Sequence, residues 1–424
     1  MASIGSPADS TSQKYLPRVV DTRVSELLSI FGGVLITGPK WCGKSWTGLH
    51  HSKSSFETDI NTDVAKLDPA LALKGDVPRL IDEWQDAPKL WDVARRIIDN
   101  RAEPGQFIFT GSADPLKGSV SHTGTGRFAR VNMRPMSLFE SGDSDGHVSL
   151  SALFDGVIFE SHLSSMDYEK AVRLICRGGW PSAIGKSYEK AITIPREYVN
   201  SVINAEISGT DEKKRDSFIM SLVLRSLARN TATYVRTSVI VEDVSRERNI
   251  SEQTVRDYIG SLRSMFVLDE QEAWSPRLRS RVRIRSLPKR HFTDPSIAVA
   301  AMKADAERLM FDPNTAGFLF ESLCYRDLCV YSSALGGQVY YYGDNTGLEI
   351  DSIVELGDGR WGAIEVKLGV FEFDKAAANL LALKKKMSED SPDPSFLMIL
   401  CATGGIAHVR EDGVMVVPID CLGP

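Results

Sequence analysis

The chain has 424 residues, more than one hydrophobic core usually serves, so two or three domains are expected. Its composition, 42% hydrophobic and 25% charged, is that of a soluble globular protein, and no apolar run approaches the ~18 residues of a membrane-spanning helix. A formal net charge of −6 gives no bulk sign of a polyanion partner, although a local basic patch can hide inside that average.

Residues 1–14, MASIGSPADSTSQK, are polar and Ser-rich without an apolar core, and read as a flexible tail rather than a secretory leader. Cys42, Cys176, Cys324, Cys329, Cys401 and Cys421 lack paired metal-ligand spacing. Buried free thiols in a reducing cytoplasm are the expectation.

Residues 15–150 read as a nucleotide-binding domain. The apolar run VLIT precedes GPKWCGKS, the P-loop pattern G-x-x-x-x-G-K-[ST]. Gly38 and Gly43 let the loop bend so that backbone N–H groups face phosphate oxygens, and Pro39, Lys40, Trp41 and Cys42 complete the loop. Lys44 supplies charge to the β- and γ-phosphates and Ser45 a hydroxyl to Mg2+; a helix should begin here, and the run from Gly38 through Trp46 is the expected nucleotide-binding set. PRLIDEWQDAP then ends a strand-like run on Asp82, expected in the Mg2+ shell, and Glu83, expected to polarise the attacking water. QFIFTGSAD reads as the neighbouring strand, with Ser112 at its polar tip sensing the γ-phosphate. Arg127 and Arg130 are the nearest candidates for a transition-state cation, with exposed strand arginines the competing reading. Alternating strands and helices predict a parallel sheet with its ligand at the strand C-termini.

Residues 151–305 show helical periodicity, broken at RGGWPSAI. Ser251 is an expected N-cap, followed by Thr254, Val255, Tyr258, Ile259 and Leu262 at helical spacing, as in the second helix of a helix-turn-helix. Arg277, Arg279, Arg281, Arg283 and Arg285 then recur every second residue, on one face of an extended segment. Residues 246–290 hold eleven Lys/Arg against six Asp/Glu, so a winged helix with a basic wing contacting nucleic-acid phosphates is expected. Arginines paired with acids of a neighbouring domain would give the same pattern.

Residues 306–424 read as an α/β domain. EIDSIVE and WGAIEVKL form a hairpin about a GDG turn, which places Asp351 across from Glu365, with Glu365 and Lys367 on one face. Upstream, Glu321 sits on a helix among uncharged neighbours, where a carboxylate needs a partner. Glu321, Asp351, Glu365 and Lys367 follow the helix–strand–strand order of PD-(D/E)XK nucleases. There the acids hold Mg2+ or Mn2+ and the lysine orients the nucleophile.

The order of motifs resembles a prokaryotic family of AAA-type ATPases joined to a C-terminal domain of unknown function. The matching segments are YLPRVVD, GPKWCGKS, DEWQDAP, FTGSAD, GRFARVNMRPMSLFE, RGGWPSAI, LPKRHFTDPSIA and FLFESL…EIDSIVE…AIEVKLG. The resemblance implies ATP on Gly43, Lys44 and Ser45, roles in Mg2+ binding and hydrolysis for Asp82 and Glu83, a winged-helix middle and a nuclease-like end. ATPases of this broad class often assemble as rings, which makes a homo-oligomer an open expectation. Lys40-Trp41 stand where the family commonly has Arg-Gln, and Ser45 where it often has Thr. The leading proline of PD-(D/E)XK is replaced by Leu348-Glu349-Ile350. Two functions follow: an ATPase controlling a metal-dependent nuclease, or an ATP-driven switch whose C-terminal half only binds nucleic acid or protein.

Overall fold

The computed structural model describes residues 15–112, 124–204, 216–276, 286–388 and 391–424. β1 (Gly33–Thr37), β2 (Ser54–Glu57), β3 (Arg79–Asp82), β4 (Phe107–Gly111) and β5 (Phe128–Asn132) form a parallel sheet in the order β2-β3-β4-β1-β5. Its central strands are apolar on both faces because helices cover both. Leu35, Ile81, Phe107 and Phe109 pack with Leu90, Trp91 and Ile98 of the helix Lys89–Arg101. Val34, Ile36, Leu80 and Ile108 pack with Val24 and Leu27 of the helix Val20–Ile30. The parallel, helix-covered sheet read from the sequence is thus observed.

β6 (Val148–Ser149) and β7 (His162–Leu163) come next in the chain, and the boundary read at residue 150 falls between them. Both pair with strands from the C-terminal end. Helices Tyr168–Arg177, Thr193–Asn204, Ser217–Arg229, Thr237–Ser245 and Glu252–Ser264 fill the middle. Ser251 caps the last of these by accepting the Thr254 N–H at 3.1 Å, and Val255, Tyr258, Ile259 and Leu262 are its buried face. An antiparallel ribbon follows, β8 (Leu268–Gln271) with β9 (Lys289–Phe292), in register from Leu268–Phe292 to Gln271–Lys289. The five arginines Arg277, Arg279, Arg281, Arg283 and Arg285 lie outside the described residues.

The C-terminal sheet contains β10 (Gln338–Gly343), β11 (Glu349–Glu355), β12 (Trp361–Lys367), β13 (Leu397–Cys401), β14 (Ile406–Val409) and β15 (Met415–Pro418). Its order is β10-β11-β12-β13-β15-β14-β7, while β16 (Leu422–Gly423) pairs with β6. The hairpin β11–β12 is antiparallel, as its GDG turn predicts, and β12–β13 is parallel. Val354, Ile364 and Val366 share a core with Phe320 and Leu323 of the helix Pro313–Ala334. Ile353, Ala363 and Ile399 pack with Leu380 and Leu383 of the helix Phe373–Met387. The hairpin is therefore enclosed on both sides, and Glu365 is only 3% exposed. All six cysteines are free and buried, and no helix among the described residues is long and apolar enough to cross a membrane.

Candidate nucleotide site and carboxylate cluster

The P-loop leaves β1 at Thr37 and enters the helix Lys44–His50. Gly38 and Gly43 adopt φ of +150° and +101°, and a Cβ on Gly38 would stand 2.2 Å from the Met133 carbonyl oxygen, so only glycine closes this loop. Lys44 is buried, its ammonium donating to the Pro39 carbonyl at 2.8 Å. Ser45 Oγ donates to Asp82 Oδ1 at 3.0 Å, and Thr110 Oγ1 donates to the same oxygen. Asp82 ends β3, which is separated from β1 by β4, so the two residues meet across the tip of β4. Burial raises the Asp82 pKa against the pull of these hydroxyls. Glu83 turns into a left-handed conformation (φ 48°, ψ 46°), and its Oε2 accepts from Gln85 Nε2 and from Ser112 Oγ at 3.2 Å. Glycine-cradled backbone, a buried ammonium and hard oxygen donors at Ser45 and Asp82 fit a nucleotide polyphosphate with Mg2+.

Cys42 and Pro39 face inward, while Lys40, Trp41 and Trp46 are exposed around the loop. Trp41 meets Tyr198 edge-on at 5.6 Å, and Tyr198 lies 4.4 Å from Trp180 of RGGWPSAI, so the helical region touches the P-loop directly. Arg127 requires a correction. It precedes β5, whose first residue Phe128 pairs with Gly33, whereas the P-loop follows Thr37 at the other end. A parallel strand carries it about 15 Å from the phosphate site, where its Nε donates to Asp99 Oδ1 at 2.8 Å. The arginine that does reach the loop is Arg18, which the sequence reading missed. It is buried and donates to the Cys42 carbonyl (2.7 Å), the Arg134 carbonyl (2.8 Å) and Glu140 Oε1 (3.0 Å). Its signal was YLPRVVD, a motif carrying no legible chemistry of its own.

The second cluster brings Glu321, Asp351, Glu365 and Lys367 together, with one further member. Beyond the pair Ser352–Ile364 the registered ladder stops, and Val366 N–H donates to Asp351 Oδ2 at 2.8 Å instead of to a backbone carbonyl. Lys367 Nζ donates to Asp351 Oδ2 (3.1 Å) and Glu365 Oε2 (2.6 Å), and Asn379 donates to Glu365 Oε1 at 3.0 Å. Lys289, from β9, donates to Glu321 Oε1 at 2.8 Å and lies 3.6 Å from Asp351 Oδ1. Burial pushes Glu321 and Glu365 up to about 7. Burial opposes the charge on Asp351 too, but Lys289 and Lys367 hold its pKa below the ordinary value. Burial likewise works against both ammoniums, and the carboxylates overcome it. Behind the cluster, His291 joins Ser322 (2.9 Å) and Gln271 (3.1 Å), and burial pulls its pKa down to about 3. Lys289, Asn379 and Gln271 were not legible beforehand. Nothing in KRHF or in the helix Phe373–Met387 marks them as partners of an acid elsewhere in the chain.

Sequence comparison matches residues 32–141 to an AAA domain, residues 168–308 to a domain of unknown function (DUF8612) and residues 316–422 to another (DUF4143). No curated protein matches the chain. Among solved structures, it is similar to a Walker-type ATPase of Pyrococcus abyssi at 16% identity and a TM-score of 0.42, covering 69% of this chain and 97% of that one. It is also similar to AMPPCP-bound DnaA of Aquifex aeolicus, at 12% identity, coverage of 58% and 86%, and a TM-score of 0.25. RuvB of Thermotoga maritima gives 16%, 67% and 94%, and 0.27. Scores this low establish no common fold. The family match and the loop geometry together make residues 32–141 an AAA-type P-loop ATPase domain with a site for ATP.

Proposed function

We propose that the protein hydrolyses ATP at the P-loop and that its nucleotide state governs contact between its C-terminal half and nucleic acid. The observation that carries the first part is Ser45 and Asp82 at 3.0 Å beside Glu83. Ser45 and Asp82 would hold Mg2+, which when bound neutralises charge on the β- and γ-phosphates. Lys44 leaves the Pro39 carbonyl to bind phosphate oxygens, and Glu83, released from Ser112, orients the attacking water and accepts its proton. ATP turnover by the wild type and its loss in Lys44→Ala test this; turnover that survives the substitution refutes it.

The second part rests on three supports. Three helices, Ser217–Arg229, Thr237–Ser245 and Glu252–Ser264, followed by the ribbon β8–β9, have the order of a winged helix. The arginine-rich segment 277–285 is flanked by residues held on β10: Trp274 N–H donates to the Tyr341 carbonyl (2.6 Å), and Tyr341 Oη donates to the Leu287 carbonyl (2.6 Å). A buried polar network also runs from the loop to the helix Pro313–Ala334. Arg18 holds Cys42 and Glu140, Glu140 holds Ser137, Leu138 N–H donates to Asp327, and Asp327 pairs with Arg326. Binding of duplex DNA and single-stranded RNA, measured with ATP and ADP across a salt series, tests the coupling. Changing Arg279, Arg281 and Arg283 to Ala should flatten the salt dependence; an unchanged slope refutes phosphate contact there.

The C-terminal order of helix, β10, β11, β12, helix and β13 supports a PD-(D/E)XK-like architecture. The nuclease reading of it meets an obstacle at Lys289.

A further inference from the structure

We propose that the Lys289 ammonium occupies the position a divalent cation takes in a PD-(D/E)XK-type site, so that the native cluster binds neither Mg2+ nor Mn2+ there. The inference rests on the nuclease-like reading of the C-terminal architecture given above.

The donor set argues it first. Magnesium wants oxygen ligands at about 2.0–2.1 Å in near-octahedral array. Here Glu321 Oε1 receives Lys289, Asp351 Oδ2 receives Val366 N–H and Lys367, and Glu365 has one oxygen on Lys367 and the other on Asn379. Lys289 Nζ stands between Glu321 and Asp351, at 2.8 and 3.6 Å. Sets of three ligand groups within 4.8 Å among the described residues are Asp21–His50–His51 and Asp145–His162–Cys421, and this cluster is not one of them.

Charge argues it second. Three carboxylates with Lys367 alone would carry a formal −2, the charge a divalent cation balances. With all three carboxylates ionised, Lys289 brings the formal charge to −1, and a dication would then leave the cluster positive in a buried site.

Position argues it third. Lys289 is 4% exposed, in register with Gln271 on the ribbon, with its ammonium 5.4 Å from the Tyr234 ring centroid. Gln271 in turn donates to the Asp351 carbonyl at 2.9 Å, so the ribbon is anchored to β11 beside the lysine. For a metal to enter, a buried ammonium would have to abandon two carboxylates. The cluster thus acts as a clamp between ribbon and sheet.

The test is a Mn2+ titration of the full-length, nucleotide-free protein, followed by the electron paramagnetic resonance of free Mn2+. Wild type and Asp351→Asn should bind equal amounts, and Lys289→Met should gain one Mn2+ per chain that the double variant loses. A site present in wild type and lost in Asp351→Asn overturns the inference while leaving the nuclease-like reading in place. A folded Lys289→Met that gains no site overturns both. Should Lys289→Met fail to fold, the comparison of wild type with Asp351→Asn decides alone: equality supports the inference and a difference overturns it.

Discussion

Two groups of acids in this molecule are held in opposite ways. At the P-loop, Asp82 accepts from the hydroxyls of Ser45 and Thr110, while the nearby Lys44 ammonium rests on a backbone carbonyl. In the C-terminal cluster, ammoniums of Lys289 and Lys367 sit directly on carboxylate oxygens. A carboxylate held by neutral hydroxyls keeps its charge available for a cation, and a lysine on a carbonyl exchanges it readily for phosphate. A carboxylate paired to a buried ammonium has already spent that attraction. The same residue types thus build a ligand site in one place and a structural joint in the other.

The largest effect that would break this comparison is at Lys44. Lys44→Ala should lower ATP turnover by about a hundredfold or more, measured by phosphate release, while leaving thermal unfolding of the C-terminal half unchanged. Next comes the buried network between the two regions. Arg326 donates to Asp294 Oδ2 and Asp327 Oδ1, each at 2.8 Å, with all three side chains enclosed. Arg326→Met leaves two buried carboxylates without their cation and should cost about 3–5 kcal/mol in chemical unfolding.

A smaller effect is expected from His291. Its folded pKa of about 3 lies below the unfolded value near 6.5, so the unfolded chain takes the proton first as pH falls. Stability contributed by the neutral ring is complete above about pH 6.5 and falls by up to about 1.4 kcal/mol per pH unit below it. Burial first, and then the charges of Lys289 and Arg134, hold the ring neutral, while Glu321 and Glu365, raised to about 7 by burial, take protons in the native state and act in the opposite direction. The His291 contribution is therefore read as the wild-type pH slope minus that of His291→Gln, from melts between pH 7 and 5. The smallest effect belongs to Arg127. At the far end of β5, Arg127→Ala should leave turnover of dilute protein within about twofold of wild type. A large loss would bring Arg127 back to an active site through a neighbouring copy.

The P-loop was legible because its parts are consecutive: an apolar strand, a glycine-bounded loop and a helix with Lys44 and Ser45 at its start. The acids of β3 were legible because a short apolar run ends on them. The hairpin β11–β12 followed from its GDG turn and strand alternation, and so did the facing of Asp351 toward β12. Arg127 misled because nearness in sequence to later strands says nothing about which end of a parallel sheet a residue occupies. Lys289 was invisible for a different reason. Every residue of β9 is buried, so no alternation marks an inward face, and its partner Glu321 lies on a separate helix.

By itself, then, the sequence determined the local chemistry: glycine where φ is positive, a lysine and a serine at the start of the helix after the loop, acids at strand ends, and the alternation that turns Glu365 and Lys367 to one side. These depend on dihedral preference and side-chain period, both properties of neighbouring residues. Only the tertiary structure decided which charges meet. Arg18 closing on the P-loop and Lys289 entering the carboxylate cluster are contacts between distant segments, and burial makes such pairing decisive. In water a stray lysine leaves a metal site open; enclosed against Glu321 and Asp351, it becomes the cation.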